Sequence, residues 1–284
     1  MPGTEIETSL EVLARYNVRL LWIAGLGGLL YGVDIGIIGS ALPYLQATSG
    51  LNGGQLSFVV AAVLLGMTLS TLFAGWLADA IGRKALMIVT GVLFVASIPI
   101  IALAHGYGPL VGGRLLEGIS AGLIGVVVPL YLAETLPAAI RGKGTAMFQW
   151  LLTLGIVLAA LVGLYFSLRV AEVARLGDAA KLLAFKDAAW RSIFWVSLPP
   201  GLVFLAGCFY LTESPRWLCS RGRRAAAAAA LGRSRTAAAA AAELAEIERA
   251  EAAARAAAGQ RAESLLRRKY VLPFVLACVI LVLN

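Results

Sequence analysis

Three ionisable side chains stand in apolar sequence, where a charge is expensive. Asp34 lies within the apolar run Leu20–Tyr44, and Arg114 and Glu117 lie near the start of the run Leu110–Glu134. In a lipid bilayer each such charge costs about 3 kcal/mol even on lenient insertion scales, so these groups pair with one another or line a polar path. If the two runs cross a membrane in opposite directions, a rise of about 1.5 Å per residue puts Asp34 and Arg114 at a similar depth.

A carboxyl group beside a guanidinium can serve as a protonatable group whose proton affinity the cation adjusts. The same pair can equally be a structural ion pair that holds two helices together. Glu117 adds an alternative, because it follows Arg114 by three residues and would share a helix face with it. We therefore expect either an Asp34–Arg114 pair, an Arg114–Glu117 pair, or one cluster of all three.

The first apolar run carries small residues at every fourth position: Gly28, Gly32, Gly36 and Ser40. Such a stripe lets another transmembrane helix pack closely. Asp34 lies off this stripe, on the far side of the helix, and shares its face with Tyr31. Arg114, Gly118 and Gly122 repeat the spacing of four in the other run.

The composition is that of an integral membrane protein. Hydrophobic residues make up 60% of the chain, charged residues 14%, and the mean hydropathy is +0.85; soluble domains are roughly 45–50% apolar and about 25% charged. Six runs approach or exceed the about 20 residues that a helix needs to cross a bilayer. They are Leu20–Tyr44, Gln55–Ala80, Leu86–Ala104, Leu110–Glu134, Thr145–Leu168 and Ser192–Leu211.

The positions of the cations predict the orientation. Arg83 and Lys84 lie in the short turn after the second run, and Lys and Arg collect in cytoplasmic loops. This turn and the amino terminus, residues 1–19, are therefore predicted to be cytoplasmic. The mixed-charge segment Arg169–Arg191 is the exception and is predicted to be an outer loop. The net charge of +8 thus follows from topology, and we predict no nucleic-acid partner.

The bundle of six spans is predicted to occupy residues 20–212. Residues 213–269 are polar and rich in Ala, Arg and Glu, which predicts short cytoplasmic helices, with an unstructured Ala-rich linker as the alternative. The last run, residues 270–284, is too short to cross a bilayer and is expected to be the truncated start of a seventh span. The three cysteines share no ligand spacing, so we predict no metal, no disulfide framework and no cofactor.

Several motifs together resemble the sugar porter family of the major facilitator superfamily. The motifs are Gly27-Gly-Leu-Leu-Tyr31-Gly-Val-Asp34, Gly75-Trp-Leu-Ala-Asp79-Ala-Ile-Gly82-Arg83-Lys84, Gly113-Arg114-Leu-Leu-Glu117-Gly118, Pro129-Leu-Tyr131-Leu-Ala-Glu134-Thr-Leu-Pro137, Arg141-Gly142, Gln149, Trp190-Arg191 and Glu213-Ser-Pro215-Arg216-Trp217-Leu218. The resemblance implies an all-α integral membrane fold, namely the amino-terminal six-helix bundle of such a transporter. Three positions depart from the family pattern: Val33 replaces a Tyr, Glu117 replaces an apolar residue, and Thr212, before Glu213, replaces a Pro.

The resemblance also implies a function and its residues. Asp34 corresponds to a proton-coupling carboxyl with Arg114 as its partner, and Gln149 and Tyr31 correspond to positions near the sugar. The expected activity is symport of a monosaccharide or related polyol with protons, by alternating access in the cell membrane. The expected partners are the sugar, protons, the lipid bilayer and a carboxyl-terminal half. No nucleophile–His–acid set is visible, so we predict no enzyme.

A further set of charges is predicted to meet at the cytoplasmic surface and to hold the outward-facing state: Asp79, Arg83, Glu134, Arg141, Glu213 and Arg216. The alternative for these residues is that they only set topology. Alternatives for the function are a uniporter, a carrier of another small metabolite, or a sensor or truncated protein that does not transport.

Overall fold

The computed structural model describes residues 2–258, 271–272 and 275–276, and these residues form helices joined by short turns, without a strand. The helices are α1 (Pro2–Thr48), α2 (Gly53–Ile81), α3 (Arg83–Ala102), α4 (Tyr107–Thr135), α5 (Arg141–Ala174), α6 (Ala179–Trp195), α7 (Leu198–Tyr210), α8 (Pro215–Ser220), α9 (Arg224–Gly232) and α10 (Ala237–Ala258). A single 3-10 turn, Ala138–Ile140, precedes α5.

Six of the helical segments are long and apolar enough to cross a membrane, as the six apolar runs predict. They are Glu11–Thr48, Gly53–Ile81, Arg83–Ala102, Tyr107–Thr135, Ala138–Ala174 and Ala179–Tyr210, the last combining α6 and α7. Each is as long as or longer than its predicted run, because polar residues at the ends continue the helix. The expected start of a seventh span, residues 270–284, lies mostly outside the described residues.

The segment Arg169–Arg191 is not the loop that its charges predict. Helix α5 continues to Ala174 and α6 already begins at Ala179, so a turn of four residues joins them. Gly177 adopts a positive φ of 72°, and the Asp178 side chain accepts a hydrogen bond from the Lys181 backbone at 3.0 Å. That hydrogen bond and the Lys181 side chain keep the pKa of Asp178 below its usual value. The mixed charges that we read as a loop instead form ion pairs along the helices.

Helices α1 and α5 pack with their backbones in close contact, which confirms the prediction from the small-residue stripe. A side-chain carbon at Gly28 would collide with the Phe148 carbonyl, and one at Gly32 would collide with the Leu152 carbonyl. Gly155 of α5 has the reciprocal position against the backbone of α1. Only glycine permits this approach at these three positions.

Helices α2 and α4 form a second closely packed pair. A side-chain carbon at Gly118 would meet the Val63 carbonyl, and Gly66 has the matching position against the Leu115 carbonyl. Gly122 lies against Met67 one turn further along. The spacing of four between Arg114, Gly118 and Gly122 therefore directs the two glycines toward α2.

The apolar interior consists of two clusters of buried side chains. On α1, Leu30 belongs to the first cluster and Ile37 to the second; on α4, Leu123 belongs to the first and Leu110 to the second. Asp34 and the pair Arg114 and Glu117 fall between these residues along their helices. The three ionisable groups therefore lie where the two clusters meet.

The chain divides into two compact units, Met1–Ala240 and Ala241–Asn284. The first contains the six long segments together with α8 and α9. In the second, Glu251 and Arg255 of α10 form the i,i+4 ion pair that their spacing predicts, at 3.5 Å. The end of the first unit that contains Gly82, between α2 and α3, is called the Gly82 end below.

Candidate functional site

The three ionisable side chains within the bundle form one cluster. Arg114 Nη1 lies 2.6 Å from Glu117 Oε2 and 3.8 Å from Asp34 Oδ1. The Arg114 side chain is 2% exposed and those of Asp34 and Glu117 are fully buried. Of the three expected arrangements, the shared cluster is therefore the one that forms, and Glu117 is the closer partner of the arginine.

Helices α1, α4 and α6 position the cluster. Asp34 projects from α1 on the side away from α5, and Arg114 and Glu117 share one face of α4. The Phe194 ring on α6 lies 5.5 Å from the Arg114 guanidinium carbon, and its face attracts the cation. Sequence reasoning missed Phe194, because an aromatic residue in an apolar run gives no signal that separates it from the core.

Several atoms of the cluster have no hydrogen-bond partner among the described residues: both Asp34 carboxyl oxygens, Glu117 Oε1 and Arg114 Nε. Buried polar atoms are nearly always hydrogen-bonded, and leaving one unpaired costs about 1–3 kcal/mol. The cluster is therefore not a saturated structural ion pair. It retains capacity for a proton or another small polar partner.

The two residues expected near a sugar lie on different helices. Tyr31 is half-buried on α1, three residues before Asp34, and its ring faces Gly125 of α4. Gln149 is exposed on α5, and only its main-chain oxygen accepts a hydrogen bond, from Thr153 at 3.1 Å. The Gln149 amide thus bridges no helices within the described residues, and no recorded contact joins it to Tyr31.

At the Gly82 end, Arg83 connects two of the predicted gating charges. Its guanidinium meets both Glu134 carboxyl oxygens, at 2.8 and 2.9 Å, and Asp79 Oδ1 at 2.9 Å. Arg83 and Glu134 are nearly buried, whereas the Asp79 side chain is 73% exposed. The contact with Glu134 is the stronger one, since its Nη2–Oε1 hydrogen bond is charge-assisted and shielded from water.

Glu213 holds the start of α3 rather than another side chain. Its Oε1 accepts hydrogen bonds from the backbone N–H groups of Arg83 and Lys84, at 2.9 and 3.0 Å. These are among the N–H groups that a helix start leaves without partners, and the helix dipole favours a carboxylate there. The neighbouring Ser214 donates its hydroxyl to Glu134, so this segment joins the same network.

The remaining two predicted gating residues are less embedded. Arg141 donates from Nε to the Leu136 carbonyl at 3.1 Å at the start of α5. Arg216 is exposed and makes no ion pair within residues 2–258. The structure therefore joins Asp79, Arg83, Glu134 and Glu213 in one network, and Arg216 lies outside it.

Sequence reasoning missed several side chains that bind exposed backbone at this end. Trp217 Nε1 donates to the Asp79 carbonyl at 2.8 Å, and Arg221 donates to the carbonyls of Asp79 and Ala80 at 2.7 and 2.9 Å. Arg235, which is buried, donates to the Thr135 carbonyl at 3.0 Å. No signal along the chain could have found these contacts, because the donors lie 100 or more positions from the carbonyls that they bind.

The groups in this arrangement can exchange protons and form hydrogen bonds. Among the described residues no group of His, Cys, Asp and Glu could hold a metal ion. The buried carboxyls can gain or lose protons, and an exposed amide and a half-buried aromatic ring offer groups that suit a neutral polyol.

Comparison with known proteins gives a consistent result. Residues 20–284 match the family model described as sugar (and other) transporter. The chain is 33% identical over 223 residues to the arabinose-proton symporter of Escherichia coli strain K12, covering 78% of this chain and 43% of the relative. It is 33% identical over 210 residues to the galactose-proton symporter of the same strain, covering 74% and 41%.

Solved structures agree with these relatives. The structure of a major facilitator proton:xylose symporter bound to 6-bromo-6-deoxy-D-glucose matches with a TM-score of 0.74 at 28% identity, covering 87% of this chain and 55% of that one. The xylose transporter from E. coli in a partially occluded inward-open conformation matches with a TM-score of 0.72. The chain spans about half the length of the relatives and structures that it matches.

Proposed function

Because the chain belongs to the sugar transporter family of the major facilitator superfamily, we propose that it forms the amino-terminal half of a sugar:proton symporter. The observation that carries this proposal is the buried cluster of Asp34, Arg114 and Glu117, with carboxyl oxygens that no described residue satisfies. Such a group in a membrane span is costly, and a role in proton movement accounts for that cost. The substrate class, a monosaccharide or related polyol, comes from the relatives, which are symporters of arabinose and galactose with protons.

In this proposal Asp34 carries the proton that moves with the sugar. A proton on Asp34 cancels its charge and weakens its attraction to Arg114, whereas an ionised Asp34 draws the arginine toward it. Protonation therefore changes the contact between α1 and α4. A change in that contact is what couples proton binding to a movement of the bundle.

Gln149 and Tyr31 are the proposed sugar contacts. An amide both donates and accepts hydrogen bonds, so it suits sugar hydroxyls, and an aromatic ring suits the apolar face of a sugar. The exposure of Gln149 leaves its amide available to a ligand. An exposed amide would be disfavoured against lipid, which supports a polar pathway along this side of α5.

The Gly82 end is the proposed cytoplasmic gate. Asp79, Arg83, Glu134 and Glu213 form the network there, and the exposed Arg216 is available to a second bundle. Arg141 lies at the start of α5. Residues 1–19 and 213–269 would lie on the same, cytoplasmic side of the cell membrane. Alternating access would then follow from rocking of this bundle against a carboxyl-terminal one around a site near the membrane midplane.

The replacement Asp34→Asn in the natural gene product tests the coupling role. In proteoliposomes we expect a pH gradient to drive uphill accumulation of sugar by the unmodified protein and not by the variant. Exchange of labelled for unlabelled sugar should persist in the variant, because exchange needs no net proton movement. The measurement is uptake of radiolabelled arabinose, galactose and xylose with and without the gradient.

Asp178→Asn is the matched control, since Asp178 lies in the turn between α5 and α6 and caps α6, a role that Asn fills as well. Accumulation should be unchanged in it. Uphill accumulation that survives Asp34→Asn would refute the coupling role. Sugar uptake by the unmodified protein that moves no protons would instead identify a uniporter.

A further inference from the structure

The closest partner of Arg114 is Glu117 and not the proposed proton carrier. Arg114 Nη1 lies 2.6 Å from Glu117 Oε2, the distance of a short charge-assisted hydrogen bond. The same nitrogen lies 3.8 Å from Asp34 Oδ1, which is too far for a hydrogen bond. One arginine nitrogen therefore faces two carboxyls and binds one of them.

The charges of the cluster do not balance if every group is ionised. Arginine keeps its proton in proteins, so two carboxylates and one guanidinium would leave one negative charge in a fully buried site. An unpaired buried charge is so unfavourable that the group takes up a proton instead. The cluster is therefore neutral when it holds one proton between Asp34 and Glu117.

The distances indicate which carboxyl holds that proton. Glu117 has the short contact with the guanidinium, as expected for the ionised acid. Both Asp34 oxygens lack a hydrogen-bond donor among the described residues, which costs an ionised carboxylate more than a neutral carboxyl.

We propose that Glu117 is a positioning residue of the proton site: by holding Arg114, it keeps the transported proton on Asp34. The inference rests on the proposed function and deepens it. When the proton leaves, the O–H bond of Asp34 breaks, the proton passes to water, and the new carboxylate competes with Glu117 for Arg114. Glu117 thus makes proton release harder and sets the pH at which it occurs.

The surroundings of the cluster contain few other groups that could take this role. Among the described residues, the charged or titratable groups that face Asp34 and Glu117 are Arg114 on α4 and Tyr31 on α1. Helix α6 contributes the uncharged Phe194 ring. A shift in the pH of proton release on changing Glu117 can therefore be assigned to the three-membered cluster.

The test replaces Glu117 by Gln in the natural gene product, a change that preserves size and removes the charge. Infrared spectroscopy of the purified protein follows the carboxylic-acid C=O band against pH, and the part of the band that Asp34→Asn removes is assigned to Asp34. In Glu117→Gln, Arg114 is released to pair with Asp34. We expect the midpoint for loss of the Asp34 proton to move to lower pH by about one to three units, the usual effect of a close opposite charge.

Glu172→Gln is the matched control. Glu172 pairs with Arg169 at 2.6 Å with the same i,i+3 spacing, but the Glu172 side chain is 58% exposed. No shift of the midpoint is expected in it. An unchanged or raised midpoint in Glu117→Gln would overturn the proposal.

If the Glu117→Gln variant does not fold, the Asp34→Asn variant still tests the proposal. Asp34→Asn should then lack a carboxylic-acid band at neutral pH that the unmodified protein shows. An unaltered band would place the resting proton elsewhere and refute the inference. Because the infrared measurement needs no sugar, it is independent of the symport assay: a protein with the expected bands that moves no protons with sugar would refute the proposed function alone.

Discussion

At the scale of single residues, burial makes the charge on each ionisable group depend on its neighbours. Arg114, Asp34 and Glu117 are screened from water, so the interaction between any two is several times stronger than at a surface. Water screens the exposed pair Arg169–Glu172, although its separation is as short, and such a pair contributes little. The same types of residue at the same spacing therefore have different consequences in the two places.

The cluster itself could be predicted from sequence, but the order of contacts within it could not. The depth of each residue along two antiparallel helices was enough to predict that Asp34 and Arg114 lie close together. Which carboxyl lies at 2.6 Å and which at 3.8 Å depends on rotamers and on the distance between α1 and α4. Neither quantity can be read from spacing along the chain.

Gln149 gives a prediction at this scale. Gln149→Ala should weaken sugar binding roughly three- to tenfold, since one hydrogen bond contributes about 0.5–1.5 kcal/mol. The measurement is the half-saturating sugar concentration for exchange in proteoliposomes. Gln46→Ala, at an exposed position near the end of α1, is the control. An affinity that does not change in Gln149→Ala would exclude a direct contact between its amide and the sugar.

At the scale of helices, glycine decides which elements lie close together. The pairs α1–α5 and α2–α4 bring backbones into direct contact, and each pair uses glycines from both helices. The stripe on α1 was visible in the sequence, but its partner was not, because a small-residue face accepts any helix of suitable shape. The partner follows only from the complete arrangement of the bundle.

The helix ends were predicted less well than the helices. The segment Arg169–Arg191 has the composition of a loop, yet it is helical except for four residues. Its charges pair along the helix, and Asp178 together with Gly177 forms the turn. Hydropathy locates the part of a helix that lipid covers, and it gives no information on how far the helix continues beyond.

Gly32→Ala is predicted to destabilise the bundle. The added carbon would collide with the Leu152 carbonyl, so α1 and α5 must separate, and overpacking of this kind costs about 1–3 kcal/mol. Gly39→Ala on the same helix is the control, because nothing lies within 4 Å of the carbon that it adds. The midpoint of thermal unfolding in detergent should fall in the first variant and not in the second. Equal midpoints would show that α1 and α5 are further apart than described.

At the scale of the whole molecule, the six long segments differ in how much of their surface the bundle covers. In the most apolar window of each, α4 is 61% buried, whereas the segment containing α5 is 17% buried. Gln149 lies on that exposed helix. A surface that combines apolar residues with an exposed amide is better suited to face a second bundle, with a polar pathway between the two, than to face lipid alone.

Residues 1–284 alone are therefore predicted not to concentrate sugar. One bundle supplies one side of a pathway, and alternating access needs a second side that moves relative to the first. The measurement is gradient-driven uptake of labelled arabinose and galactose in proteoliposomes, with the arabinose-proton symporter of E. coli as the positive control. Saturable uphill uptake by protein with an intact mass of 29.7 kDa would contradict the proposal that a second bundle is required.

The contacts made by Glu213, Trp217 and Arg221 have a consequence for sequence change. All three bind main-chain atoms in the last turn of α2 or the first turn of α3, and main-chain atoms are the same whichever side chain a position carries. Substitutions at Asp79 or Ala80 therefore leave these hydrogen bonds intact. Substitutions of Glu213, Trp217 or Arg221 remove them, because their side chains make the bonds. The tolerance of these helix ends to mutation is thus decided by residues that lie more than 120 positions further along the chain.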